Sequence, residues 1–350
     1  MNKTDTIYIA GHRGMVGSAC RRQLESRGYA NLVFRTSREL DLTRQADVEA
    51  FFAETRPDHV ILAAAKVGGI LANATHPAEF IYTNLAIQTN ILHAAYRQGV
   101  RSLVFLGSSC IYPKFCPQPI SEEYLLTSDL EKTNEAYAIA KIAGVKMCEH
   151  YNGQYGTKFW ALMPTNLYGE NDHFGLEGSH VLPAMIRKFH LAKLAAAGDA
   201  DAIRNDVERW GSIPQDVRES LTLDDTLEVQ DPAAVAVRLW GTGTPRREMM
   251  HVDDLARACV HVLERGEELP PQLVNVGTGQ DMTIAELADT VRRVVGFEGP
   301  IVWDDTKPDG TPRKVLDVSR LTAMGYAPSI TLEDGVAGSY AWYLAELRWI

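Results

Sequence analysis

The 350-residue sequence has no excess of positive charge: 35 Lys and Arg stand against 45 Asp and Glu, a formal net charge of −10. A basic, phosphate-coating surface is excluded, and with it a nucleic-acid partner. The five cysteines, Cys20, Cys110, Cys116, Cys148 and Cys259, form no CxxC pair, and their odd number leaves one unmatched in any disulfide scheme. Reduced thiols are expected. No run reaches the roughly 18 apolar residues of a membrane span, and the first residues lack the basic and apolar regions of a signal peptide. These absences predict a cytoplasmic protein with no membrane partner. No HExxH or comparable ligand cluster occurs among the histidines, so no metal is expected.

What is present is ordinary globular material, 45% hydrophobic and 23% charged. Single cores stop growing near ~250–300 residues, so two lobes are expected. Short apolar runs at 7–10, 32–34, 59–64, 103–106 and 159–163 alternate with amphipathic stretches near 15–27, 44–55, 77–98 and 136–155. This alternation is the mark of parallel βαβ winding and predicts an α/β fold, a doubly wound parallel sheet of the Rossmann type. Ligands of such sheets lie at the carboxyl ends of the strands. The expected division is a nucleotide-binding domain over 1–168, with residues near 240–275 returning to it, and a smaller α/β substrate lobe over 169–350. Segment 196–235 carries ten acidic residues against three basic ones and reads as an exposed, solvated insert with one short helix at most.

The first strand runs into Gly11, His12, Arg13, Gly14, Met15, Val16 and Gly17, a GxxGxxG turn opening a helix. Glycines there allow a tight turn and let backbone N–H groups approach a pyrophosphate at the helix N-terminus. Where NAD binders place a carboxylate after the second strand, this chain has Arg35 and Arg38. With Arg13 they would suit a 2′-phosphate and favour NADP(H), unless they are merely solvated. Asp41, Leu42, Ala63 and Ala65 would wrap the adenine and ribose.

After the fourth strand come Leu106, Gly107, Ser108, Ser109 and Cys110, and further on a YxxxK pair, Tyr137 and Lys141. Tyrosine and lysine at i and i+4 share one helix face. A neighbouring ammonium would lower the phenol's pKa and fit it for proton transfer, with Ser108 and Tyr137 both hydrogen-bonding one carbonyl oxygen.

The glycine turn, strand-end serine and YxxxK together resemble the extended short-chain dehydrogenase/reductase superfamily. The blocks at 11–17, 63–69, 107–114, 164–169, 179–180 and 307–314 narrow the resemblance, over all but the acidic insert, to its GDP-L-fucose synthases. Those enzymes are NADPH-dependent 3,5-epimerases and 4-reductases of GDP-4-keto-6-deoxy-D-mannose. The resemblance implies that Cys110 and His180 are the epimerising pair, and that Tyr137 and Lys141 serve reduction. It also implies that Pro164, Asn166, Leu167 and His180 border the cofactor, that Lys188, Trp240, Arg247 and Asp309 bind the GDP-sugar, and that the chain is a homodimer. It breaks at Ser37, where relatives often carry arginine, and at the insert. A related enzyme making another deoxysugar, and a non-catalytic NADP-sensing protein of the same fold, are the competing readings. A 4,6-dehydratase is disfavoured, because Ser109 and Cys110 stand where an acid would be needed.

Overall fold

The computed structural model describes residues 1–265, 270 and 272–349. They form two compact units. One comprises 1–167, 248–280 and 315–329, and the other 168–247, 281–314 and 330–350.

The first unit is built on six parallel strands in the spatial order Leu273–Val276, Phe159–Pro164, Ser102–Leu106, His59–Leu62, Ile7–Ala10, Leu32–Val33. Every residue of Ile7–Ala10, His59–Leu62 and Phe159–Pro164 is buried, as expected of strands covered on both faces. The helices Met15–Ser26, Gln45–Thr55, Pro77–Arg97 and Glu135–Tyr155 fall where the amphipathic stretches predict them. Pro77–Arg97 buries Phe80, Asn84, Gln88, Ile91, Leu92 and Ala95, a helical stripe. Glu135–Tyr155 lays Gly144 so close to Phe105 that a Cβ there would overlap the ring. The order reverses between Ile7–Ala10 and His59–Leu62, the switch point at which such sheets take their ligands, and Gly11 and Ala63 directly follow those two strands.

The second unit gathers the helices Val181–Ala196, Ala200–Trp210, Ile284–Val295 and Leu332–Glu346 with a parallel strand pair, Val237–Trp240 and Ile301–Asp304. A three-stranded patch joins Met282–Thr283, Arg246–Arg247 and Arg313–Lys314. Among the described residues, no helix is long and apolar enough to cross a membrane.

The insert departs from the exposed, largely irregular segment expected. It holds two helices, Ala200–Trp210 and Gln215–Ser220, and buries Ile203, Ile213, Val217, Leu221 and Val235. Its acidic side chains are mostly occupied. Asp199 caps the first helix through the Ala202 N–H at 3.0 Å, Asp225 pairs with Arg218 at 2.9 Å, and Asp201 and Glu228 both meet Arg204. Asp206 is fully buried against the fully buried Arg187, with Nε donating to Oδ1 at 2.8 Å. Arg187 also donates to the carbonyls of Phe174, Trp210 and Gly211, and the Tyr343 hydroxyl donates to Asp206. A buried ion pair contributes little net stability when intact, but stripping one partner leaves a charge without compensation. Asp206→Ala should therefore lower unfolding stability by about 3–5 kcal/mol, read by urea denaturation, and an unchanged midpoint would show that the insert is not anchored there.

Candidate active site

The dinucleotide corner begins at Gly11, whose φ of +84° lies in the left-handed region. A Cβ at Gly11 would come within 2.8 Å of the Ala64 nitrogen, and one at Gly17 would overlap the Gly11 carbonyl oxygen. This is a cradle only glycine leaves open. The helix Met15–Ser26 starts after Gly14 with no side-chain cap and no acidic residue in its first turn. Its leading N–H groups are thus offered to an anion. Those residues fit a dinucleotide pyrophosphate.

Around this loop the His12 ring lies 5.0 Å from that of Phe34, and its Nδ1 is buried with no hydrogen-bond partner among the described residues. Burial, then Arg13 and Arg21, lower the His12 pKa. Arg13, Arg35 and Arg38 are exposed. Arg35 donates to the Phe34 carbonyl at 2.7 Å and lies over the Phe51 ring. A carboxylate that sequence reasoning passed over, Glu39, accepts from the Thr36 N–H and hydroxyl. These bonds, and then the charges of Arg35 and Arg13, lower its pKa. Asp41 is occupied by Thr43, accepting from its N–H at 3.0 Å and its hydroxyl at 2.7 Å. The Leu42 carbonyl is held by Asn90, and the Ala63 N–H by Ala10; Ala65 follows two residues later, half-buried.

At the end of Ser102–Leu106, Gly107 closes the strand by donating to the Leu162 carbonyl at 2.9 Å, and Ser109 is buried. Ser108 accepts from the Cys110 N–H at 3.3 Å, its hydroxyl neighbours the Tyr137 phenol closely enough to lower the phenol's pKa, and the Cys110 thiol lies within electrostatic reach of that phenol. Lys141 is 4% exposed; its Nζ donates to the Leu106 carbonyl at 2.8 Å and stands 5.8 Å from the Tyr137 ring centroid. The structure thus brings Ser108, Cys110, Tyr137 and Lys141 together. One expectation is corrected. Burial raises the Tyr137 pKa, the nearby Cys110 raises it further, and only the Ser108 bond lowers it. Burial pushes Lys141 down to about 8. Dehydration of both groups outweighs the favourable effect of the ammonium on a phenolate, and the phenol keeps its proton.

Pro164 ends its strand opposite Val276, Leu167 packs on the sheet core, and Asn166 donates to the Glu248 carbonyl at 2.9 Å. The Asn166 side chain is therefore holding backbone.

The remaining predicted residues belong to the second unit. His180 precedes the helix Val181–Ala196 and is reached by solvent, while surrounding protein and then His173 lower its pKa. In the preceding turn sequence reasoning missed Asp172, whose Oδ2 is buried with no partner among the described residues and whose pKa burial raises to about 7. Lys188 donates to the Arg238 carbonyl at 3.1 Å. Trp240 is 60% exposed, and its Nε1 donates to Asp216 at 3.2 Å. Asp309 accepts from Thr242 at both oxygens, from its N–H at 2.9 Å and its hydroxyl at 2.7 Å, and so shapes the loop after Trp240. Arg247 donates to the Thr311 carbonyl at 2.5 Å and would touch any Cβ at Gly310.

The model of the NAD dependent epimerase/dehydratase family matches residues 7–211 and 211–277. GDP-L-fucose synthase 1 of Arabidopsis thaliana is 53% identical over 343 residues, covering 98% of this chain and 94% of that protein. GDP-L-fucose synthase of Escherichia coli (strain K12) is 50% identical, covering 97% and 96%. Among solved structures, a GDP-D-glycero-L-gluco-heptose synthase from Campylobacter jejuni, crystallised in the presence of NADPH, is 39% identical with a TM-score of 0.88 over 98% of this chain and 99% of that one. A glycine cradle at the sheet's switch point and a strand-end serine neighbouring the tyrosine of a YxxxK helix accord with these likenesses: the chain belongs to the NAD dependent epimerase/dehydratase family.

Proposed function

We propose that the protein is an NADPH-dependent enzyme that epimerises GDP-4-keto-6-deoxy-D-mannose at C3 and C5 and reduces C4, giving GDP-L-fucose. The observation that carries this reading is the Ser108–Cys110–Tyr137–Lys141 cluster, set in a chain half identical to GDP-L-fucose synthases along nearly its whole length. A ketone at C4 acidifies the hydrogens on both neighbouring carbons, so one site that stabilises negative charge on its oxygen serves both inversions and the reduction.

In this reading Ser108 and Tyr137 donate to the C4 oxygen. Cys110 and His180 work as the base and acid that remove and return the hydrogens at C3 and C5. Tyr137, kept protonated by its burial, delivers the proton that completes the alcohol. Lys141 spends one N–H on Leu106 and retains others for the ribose of the cofactor. Gly11, Gly14, Gly17 and the first turn of Met15–Ser26 would hold the pyrophosphate, and Arg13, Arg35 and Arg38 the 2′-phosphate. NADPH, when bound, supplies the hydride. Lys188, Trp240, Arg247 and Asp309 form the GDP-sugar side, the first three in contact and Asp309 by setting the loop.

The homodimer belongs to the same proposal. Pro77–Arg97 and Glu135–Tyr155 pack on each other and leave Tyr82 68% and Ile139 43% exposed, an apolar surface suited to a four-helix bundle with a second copy. Water-soluble nucleotide-sugar chemistry and reduced thiols fit a cytoplasmic setting.

Incubation with the keto sugar and NADPH, followed by product identification, tests the reading: GDP-L-fucose is expected, and a product not inverted at C3 and C5 would refute it. Tyr137→Phe should cut the reduction rate by about 10²-fold or more while NADPH affinity is largely kept; equal loss of both would point to misfolding. Lys141 carries its charge below a pKa of about 8 and loses it as pH rises through that value. The kcat/KM for reduction should fall along an alkaline limb near pH 8, and a rate flat to pH 9.5 would contradict a role for the charged ammonium. Sedimentation should give a dimer, and a monomer at all concentrations would reject the bundle.

A further inference from the structure

The insert reaches a large aromatic ring that the second unit leaves open. Trp240 ends the strand Val237–Trp240 with 60% of its surface exposed, and Lys307 lies 5.6 Å from its ring centroid. Its indole N–H is tied at 3.2 Å to Oδ2 of Asp216, on the insert helix Gln215–Ser220. The other carboxylate oxygen of Asp216 has no hydrogen-bond donor among the described residues. Asp216 also lies near enough to the Lys188 ammonium to favour its charged form against the burial that lowers its pKa. The segment is held in place as well as ordered, because Arg187, the residue before Lys188, grips Asp206 and the carbonyls that end the preceding helix. An aromatic platform, an anchored carboxylate at its edge and an ammonium are thus assembled in one unit.

Purines stack well on indole, but a stacking face does not distinguish one base from another. Selectivity requires groups at the base edge. A guanine edge offers two adjacent donors, N1–H and the 2-amino group, whereas hypoxanthine offers N1–H alone and adenine presents a bare N1 acceptor. A carboxylate accepts the guanine pair and repels the adenine nitrogen. We propose that Asp216 is a specificity-determining residue of the nucleotide-sugar site, reading the guanine base stacked on Trp240. The inference rests on the GDP-sugar reading above and assigns base recognition in that site to the insert.

The test compares binding of GDP, IDP and ADP to the wild-type protein and to Asp216→Asn by calorimetry, alongside steady-state turnover of the GDP-keto sugar. Asparagine keeps the shape and an acceptor for the indole, and thermal melting checks that both proteins fold. The wild type should prefer GDP over IDP and ADP. Asp216→Asn should weaken GDP by about ten-fold or more and bring the GDP-to-IDP ratio close to one, with KM raised and kcat largely retained. Trp240→Leu, which removes the stacking face, should weaken all three nucleotides. An unaltered GDP-to-IDP ratio in Asp216→Asn, whether its affinities are kept or fall uniformly, would overturn the proposal, as would a wild type that does not discriminate. A wild type that selects GDP through Asp216 yet does not turn over the keto sugar would instead refute the enzymatic reading and leave the base assignment standing.

Discussion

A single buried ammonium sets the terms for the catalytic corner. Lys141 is withdrawn from water in the sheet-covering helix, with the Leu106 carbonyl as its hydrogen-bond partner and the Phe105 and Tyr137 rings beside it. The resulting drop in its pKa is the cost of that position. The geometry ties the end of the strand that leads into Ser108 and Cys110 to the helix carrying Tyr137 and Lys141 through one backbone contact. Burial also raises the phenol's pKa. A tyrosine that keeps its proton is what the proposed last step, protonation of the reduced ketone oxygen, requires.

The nucleotide corner depends on a constraint of a different kind, the space that glycine leaves free. Gly11 and Gly17 approach other backbone so closely that no side chain fits, and the uncapped helix start beside them turns that space into an anion site. Charge at the neighbouring rim is mixed. Glu39 stands within electrostatic reach of Arg13 and Arg35, so a 2′-phosphate held by those cations, as proposed, would also meet a carboxylate.

Much of this was legible in the residues because local rules and the tertiary structure agree. The strands Ile7–Ala10 and His59–Leu62 are buried throughout and, His59 apart, carry no charged or amide side chain, and the four expected helices of the first half alternate with the strands. The sixth strand, Leu273–Val276, was not read. Asn275 interrupts its apolar run, and only the fold supplies that amide with the carbonyls of Ile120 and Asp317 to donate to. The insert misled for a related reason. Counting charges cannot show that Asp206 is matched by Arg187, which lies outside the segment, or that the remaining acids cap helices and pair with arginines. The direction of the Tyr137 shift was also beyond reach, since i, i+4 spacing places a lysine near a tyrosine without saying how far water is excluded from both. For Asp309, the resemblance implied a ligand contact, and the structure adds a local partner that no spacing shows, Thr242, which donates one hydrogen bond to each carboxylate oxygen.

The central claim is that one polarised carbonyl oxygen serves two inversions and a reduction. Its most direct test is proton NMR of the keto sugar in deuterium oxide with Ser108→Ala, following hydrogen exchange at C3 and C5 without NADPH and alcohol formation with it. The account predicts that exchange at both carbons and reduction slow together. Exchange at wild-type rate beside a collapsed reduction would contradict it.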